Sequence, residues 1–285
     1  MNREGTGRIE YLDWTCNPIV GCTHGCPWCW ARRQAKRQKH NCRKCYDFVP
    51  HLHPERLDEP LRLCKPSVIG VGFMGDLFDP ALSSESVDVV VGTMHRAKQH
   101  TFVLLTKQPA RAKGFTFPEN LVLGVSVEDQ PSADRLIPEH LKCQAAKHIV
   151  SIEPMREPVD LADGWLRKTL CYEHPALDGV ILGGQTGPGA VPMHPDWVRE
   201  VRDQCQEAGV PFYFKSWGEW LPADHHRWTP NEKDVYGRVF DHCTGRGMIS
   251  LPGMKMYHVG RKLAGRTLDG RTHDETAWNR EGKES

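Results

Sequence analysis

The fold class this sequence predicts is α/β: a parallel sheet with crossover helices, curled into a full or partial barrel. Three observations predict it. Short apolar, β-branched runs recur at residues 67–73, 101–105, 121–127, 148–152, 179–182 and 210–214. Segments of helical length lie between them, and this alternation at a regular rhythm favours parallel strands over hairpins. Polar residues also fall just after the runs, where the functional loops of such barrels gather. The chain has 285 residues, enough for one principal domain of this kind.

Residues 30–44 hold seven Lys and Arg and no acid, and their first half consists of good helix formers, which predicts the first helix and its exit. Residues 84–99 and 196–208 are further helices, the second ended by Gly209 in the manner of a C-cap. The expected strand ends carry Gly75-Asp76, Thr106-Lys107, Ser126 to Asp129, Glu153-Pro154, Gly183 to Thr186, and Lys215 to Trp217. One rim would collect them, some as caps or turn formers and some with a chemical role. Beyond Trp220 the pattern dissolves into Pro, Gly, His and charged residues. Residues 1–220 are therefore expected to form the barrel with an N-terminal cysteine loop, and 221–285 a cap or tail. The basic, glycine-rich stretch 260–272 reads as a segment folded over the barrel mouth, a phosphate contact, or a solvated extension.

The net charge is +1, without the bias of a chain whose main task is gripping nucleic acid, so any such role falls to local patches. Eleven cysteines without a signal peptide argue against a secreted disulfide scaffold. Their clustering at one end favours metal binding in a reducing cytoplasm. No apolar run is long enough to span a membrane.

The most informative feature is the run GCTHGCPWC, in which Cys22, Cys26 and Cys29 stand as C-x-x-x-C-x-x-C. A closed zinc site or an electron-transfer cluster normally takes four protein ligands. Three thiolates suggest a cluster with one iron left open for chemistry. The structural alternative is a zinc knuckle completed by His24 or Cys16. Cys42 and Cys45 form a second C-x-x-C with His40, His51 and His53 nearby; they would complete a zinc site or assist an auxiliary cluster, and two thiolates alone specify neither. Cys16 reads as a buried thiol near the cluster. Cys64, Cys143, Cys171, Cys205 and Cys243 read as packing residues, with the further option that one near the substrate donates a hydrogen atom.

The cysteine spacing, with the aromatic Trp28 just before the third cysteine, resembles the signature of the radical S-adenosylmethionine superfamily. Over almost its full length the chain is also similar to a phage-borne family of that superfamily. That likeness rests on residues 14–22 (WTCNPIVGC), 46–57 (YDFVPHLHPERL), 73–78 (FMGDLF), 104–107 (LLTK), 124–128 (GVSVE), 151–154 (SIEP), 183–188 (GGQTGP) and 265–272 (GRTLDGRT). Gln185 stands where the family pattern usually has an acid. The resemblance implies a partial (β/α)6 TIM-like barrel of the radical SAM type with a C-terminal extension. It implies a 4Fe-4S cluster on Cys22, Cys26 and Cys29, with S-adenosyl-L-methionine on the open iron. By position, Trp28, Gly75, Asp76, Ser126, Glu128 and Glu153 would contact that cofactor: Asp76 the methionine ammonium, Ser126 and Glu128 the ribose hydroxyls, Glu153 the adenine or substrate.

The implied mechanism is reductive cleavage. An electron from a flavodoxin-like donor splits the sulfonium, and a 5'-deoxyadenosyl radical takes a substrate hydrogen. The phage family further implies hypermodification of thymidine in viral DNA, within the host cytoplasm. An N-linked glycyl group on the 5-methyl carbon would be isomerised to a C-linked one. Lys107, Glu153, Gln185 and Lys215 are then candidates to work on the glycyl carboxylate or a base edge. Arg32, Arg33, Lys36, Arg37, Lys39, Arg43 and Lys44 would meet phosphates if the substrate is polymeric DNA, not a free nucleotide; their structural alternative is a solvated helix. The rival readings are a radical enzyme acting on another nucleic acid, a lipid or a peptide, and a zinc-stabilised nucleic-acid-binding protein.

Overall fold

A computed structural model describes residues 1–5, 9–161, 164–166, 175–223 and 247–278. In chain order the first elements are β1 (Asn2–Arg3), β2 (Trp14–Cys16), β3 (Ile19–Val20), α1 (Trp30–Ala35), α2 (Arg43–Asp47), β4 (His51–Leu52), β5 (Val68–Val71) and α3 (Ser84–Arg96). Then come β6 (Thr101–Thr106), α4 (Pro109–Ala112), β7 (Leu121–Val127), α5 (Gln130–His140), β8 (Lys147–Ile152), β9 (Gly179–Gly183), α6 (Pro195–Ala208) and β10 (Phe212–Ser216). The last are β11 (Trp220–Pro222), β12 (Met248–Leu251), β13 (Met254–His258) and α7 (Arg261–Ala264).

The main sheet has eight strands in the order β1-β2-β5-β6-β7-β8-β9-β10, curled into a half-barrel. Strands β2 and β5 to β10 are all parallel to their neighbours, and β1 lies antiparallel at one edge. All six expected strands are present. One more parallel strand, β2, was not expected: at three residues it has no apolar run of its own, and it is a strand because Trp14 and Cys16 pair with Ile69 and Val71. It leads directly toward the cysteine loop.

Both faces of the sheet are buried, as a parallel sheet requires. Ile69, Val71, Phe102 and Leu104 face outward against Val87, Val90 and Met94 of α3. Farther along, Val150, Ile152, Val180 and Leu182 pack with Leu136 and Ile137 of α5 and with Val198 and Val201 of α6. The alternate residues Val68, Val103, Val122, Ile149, Ile181 and Tyr213 point into the curl and form an apolar floor with Tyr11 and Trp278. Two residues closer to the strand C-termini, the same face carries Gly70, Leu105, Gly124, Ser151, Gly183 and Lys215, and two more bring Lys107, Ser126 and Glu153, with Gln185 just past the end of β9. The interior thus changes from a greasy floor to a polar mouth.

The segment after Trp220 is more ordered in its described part than its composition suggests. β11, β13 and β12 make a small antiparallel sheet. The indole N–H of Trp217 donates to the Thr267 carbonyl at 2.8 Å, and Phe214 N–H to the His273 carbonyl at 3.0 Å. Asp274 bridges Tyr213, so residues 265–274 run along the outer edge of β10 and cover a strand edge that would otherwise be open. Trp278 then reaches the floor, 5.9 Å from the Tyr11 ring. This stretch closes the end opposite the mouth.

Candidate functional site

The cysteine loop is laid across the C-terminal end of β5. Gly21 N–H donates to the Met74 carbonyl at 3.0 Å, and Asp76 N–H to the Gly21 carbonyl at 3.3 Å. Two glycines permit this approach. A Cβ on Gly21, whose φ is +96°, would stand 2.4 Å from the Val49 carbonyl, and one on Gly75 would stand 2.5 Å from the Gly21 oxygen. Wholly buried Asp79 clamps the loop from the β5 side: one carboxylate oxygen accepts both the Thr23 amide, at 2.6 Å, and the Thr23 hydroxyl, at 2.8 Å.

The cysteine sulfurs are partly exposed and already accept backbone N–H groups. His24 N–H reaches the Cys22 sulfur at 3.4 Å, and Arg32 N–H reaches the Cys29 sulfur at 3.3 Å, making Cys29 the N-cap of α1. Ala31, Ala35, Phe48 and Met74 form an apolar backing behind Cys22 and Cys29. Burial pushes the Cys22 thiol up to about 12, with Asp76 and Asp79 adding to the rise and the His24 amide opposing it. Burial also raises Cys26, and nearby Lys107 pulls it back. A cationic centre is what would bring these thiols to thiolate. Among the described residues, the one group that places three or more Cys, His, Asp or Glu ligand atoms within 4.8 Å of one another is elsewhere, at Cys42, Cys45, His51 and His53.

The rim residues come together as expected, most of them already partnered. Lys107 and Glu128, at the ends of β6 and β7, form a largely buried ion pair. Lys215 and Glu153 form a second at 2.6 Å, and Ser151 donates to the other Glu153 oxygen at 3.0 Å. Ser126 lies half-buried two residues before Glu128 and on the same sheet face. Asp76 is committed to structure. Its carboxylate accepts the Thr106 hydroxyl at 2.7 Å and the amides of Lys107 and Phe78 at 2.9 and 3.0 Å, tying β5 to β6. Burial raises its carboxyl, against those hydrogen bonds. The Gln185 side-chain N–H donates to the Gly189 carbonyl at 3.3 Å. That orientation leaves its amide oxygen buried without a partner among the described residues, which costs about 1–3 kcal/mol.

Two site residues, Asp79 and Arg156, escaped the sequence reading, and a third, Arg33, was expected only as a phosphate contact. For Asp79, the D-x-x-D spacing from Asp76 is visible in the chain. Arg33 crosses the mouth from α1, donating to the Trp28 carbonyl at 2.9 Å and the Thr186 carbonyl at 3.0 Å. Arg156 stacks its guanidinium 4.4 Å from the centre of the Trp28 ring, so Trp28 is held between the cysteine loop and the β8 exit. No sequence signal marks Arg156 or the part Arg33 plays here, because both act across long separations.

The expected basic patch divides. Arg32 and Arg33 serve the loop itself, Arg32 by donating to the Cys22 carbonyl at 3.1 Å, while Lys36, Arg37, Lys39, Arg43 and Lys44 are exposed. Cys16 is a packing thiol in the outer core, raised to about 12 by burial. Cys143 and Cys205 are likewise buried and Cys64 is exposed; Cys171 and Cys243 lie outside the described residues. Among the described residues no helix is long and apolar enough to cross a membrane.

A family model described as a protein of unknown function (DUF5131) matches residues 6–277, and the chain belongs to that family. No curated protein and no solved structure matches it.

Proposed function

We propose that this DUF5131 protein is a radical S-adenosylmethionine enzyme whose 4Fe-4S cluster is held by Cys22, Cys26 and Cys29. The observation that carries the reading is the position of the three-cysteine loop at the C-terminal end of a curled parallel sheet, held by Asp79 on one side, with Arg33 of the following helix reaching the Thr186 carbonyl on the other. Three thiolates on one loop leave a position of a cluster open, where a closed zinc site would take four protein ligands. The amides on the Cys22 and Cys29 sulfurs would also stabilise the negative charge of a thiolate-bound cluster.

When bound, the cluster and S-adenosylmethionine supply one-electron hydrogen-abstraction chemistry. The chain's own residues bind, orient and shield. Lys107 and Glu128 together offer a cation and a carboxylate beside Cys26, suited to a zwitterionic ligand. Asp76 contributes by fixing the Gly75 turn against the cysteine loop, its carboxylate being engaged inside the protein. Lys215 and Glu153 make the second charged pair across the mouth, where Lys215 would take a substrate carboxylate and Glu153 hold its amine. Gln185, 7% exposed with its amide oxygen sealed from solvent, would shape the mouth and not touch a base edge. The apolar floor keeps water from the closed end.

We assign the substrate as N-linked glycyl-thymidine, converted to its C-linked isomer in viral DNA with a flavodoxin-like electron donor. The exposed cations from Lys36 to Lys44 support a polymeric substrate beside the mouth. Oxygen-free reconstitution tests the chemistry: the chain should become brown, bleach with reductant and release 5'-deoxyadenosine, and Cys26→Ala should abolish all three. Zinc on the leading cysteines with no 5'-deoxyadenosine would overturn the assignment. An oligonucleotide carrying the N-linked glycyl base tests the substrate, the expected product having unchanged mass and altered fragmentation.

A further inference from the structure

We infer that Cys42, Cys45, His51 and His53 form a separate, closed zinc site that fastens the cysteine loop to its support. Their four ligand atoms lie within 4.8 Å of one another. Three of the sulfur–nitrogen separations match a single tetrahedral ion. The Cys42 sulfur is 3.5 Å from His51 Nε2, and the Cys45 sulfur is 3.5 Å from His51 Nε2 and 3.1 Å from His53 Nε2. Bonds of about 2.3 Å to sulfur and 2.0–2.1 Å to nitrogen at tetrahedral angles put sulfur and nitrogen about 3.5 Å apart.

Both imidazoles are held in the tautomer a metal needs. His51 Nδ1 is 2.8 Å from the Val49 carbonyl, which can only accept, so Nδ1 carries the proton and Nε2 offers its lone pair. His53 Nδ1 is 2.7 Å from a Glu55 carboxylate oxygen, with the same consequence. A carboxylate or carbonyl behind the ligating imidazole is the usual outer support of a metal site. On binding, the two thiol protons leave to solvent.

The chemistry selects the ion. Two sulfurs and two imidazole nitrogens in a tetrahedron suit zinc. A two-iron cluster on the same residue types would put the cysteines and histidines on different irons, and the 3.1 Å contact between Cys45 and His53 rules out that separation. Four protein donors leave no open position, so the site is structural.

Its place in the fold says what it supports. His51 lies on β4, which pairs with β3 through Val20 and His51, and His53 N–H donates to the Pro18 carbonyl at 2.7 Å. β3 runs straight into Gly21 and Cys22, and Gly21 sits against Val49. An ion joining α2 to β4 therefore holds the wall on which the cysteine loop begins.

Metal analysis and zinc X-ray absorption of the full chain test this directly, independently of any iron chemistry. One zinc per chain is expected, with two sulfur and two nitrogen neighbours. A Cys22→Ser, Cys26→Ser, Cys29→Ser variant should keep that zinc, Cys42→Ser with Cys45→Ser should lose it, and His51→Cys should retain it with three sulfurs. Should the double variant be insoluble, cobalt(II) added to the triple variant decides, since the site should give the intense visible bands of tetrahedral sulfur ligation. Absence of stoichiometric zinc from the zinc-supplied wild-type chain, zinc lost with the leading cysteines, or cobalt without those bands would each overturn the proposal.

Discussion

Replacing Asp79 with Asn should loosen the cysteine loop without touching a cysteine. The carboxylate is wholly buried, accepts two hydrogen bonds from Thr23, and accepts the Ala81 amide at 3.0 Å. Hydrogen bonds to a charged group contribute about 1.5–3 kcal/mol each. Thr23 is exposed, so water replaces part of the loss and the lower figure applies. Two such bonds give about 3 kcal/mol, or roughly a hundredfold shift between the ordered and open loop at 1.36 kcal/mol per decade. The assay is iron uptake at limiting iron under anaerobic conditions, paired with urea unfolding of the metal-free chain. A double-mutant cycle with Thr23→Val isolates the contact, with a coupling of at least about 1 kcal/mol expected. Wild-type iron uptake by Asp79→Asn together with strictly additive mutants would refute the clamp.

Three other perturbations have equally definite outcomes. His140 is fully buried beside His148, ring centres 4.8 Å apart, and burial holds it down to about 3. An unfolded histidine binds its proton near pH 6.5, so the unfolded state holds more protons between pH 6.5 and 3. Stability should therefore fall with pH through that window, by about 2 kcal/mol at pH 5 from this group alone; urea midpoints at pH 8 and 5 should lose that drop in His140→Leu, and an undiminished drop would count against it. Gly21→Ala forces a Cβ onto the Val49 carbonyl at positive φ, so it should cost at least about 1–3 kcal/mol and depress cluster uptake; a variant with native melting and native uptake would show that the loop yields freely. Trp278→Ala removes an aromatic only 9% exposed from the barrel floor and should cost about 3 kcal/mol. Calorimetry showing no change would mean the C-terminal segment does not seal that floor.

The parallel strands were legible because each needs apolar residues on both faces, which produces continuous runs such as LVLGVSV in β7. Helix α6 was legible through Gly209, which takes the left-handed C-cap at φ 68°. β2 was not, since three residues held by register with β5 leave no pattern of their own. Nor was the order after Trp220, where residues 265–274 are fixed by hydrogen bonds to β10 and not by periodicity.

For the site, the chain alone determined which atoms are available: three cysteines on one tight loop, a second C-x-x-C pair, and polar groups after each strand. Those follow from spacing, because ligands that must converge within one short loop have to be neighbours in sequence. Tertiary structure alone decided which of them are free to act. It committed Asp76 to Thr106 and Lys107, paired each rim lysine with a carboxylate, and turned two nearby histidines toward Cys42 and Cys45. The physical reason is that a hydrogen bond or metal contact depends on where two side chains meet in space, and the chain reaches those meetings only after the sheet has curled.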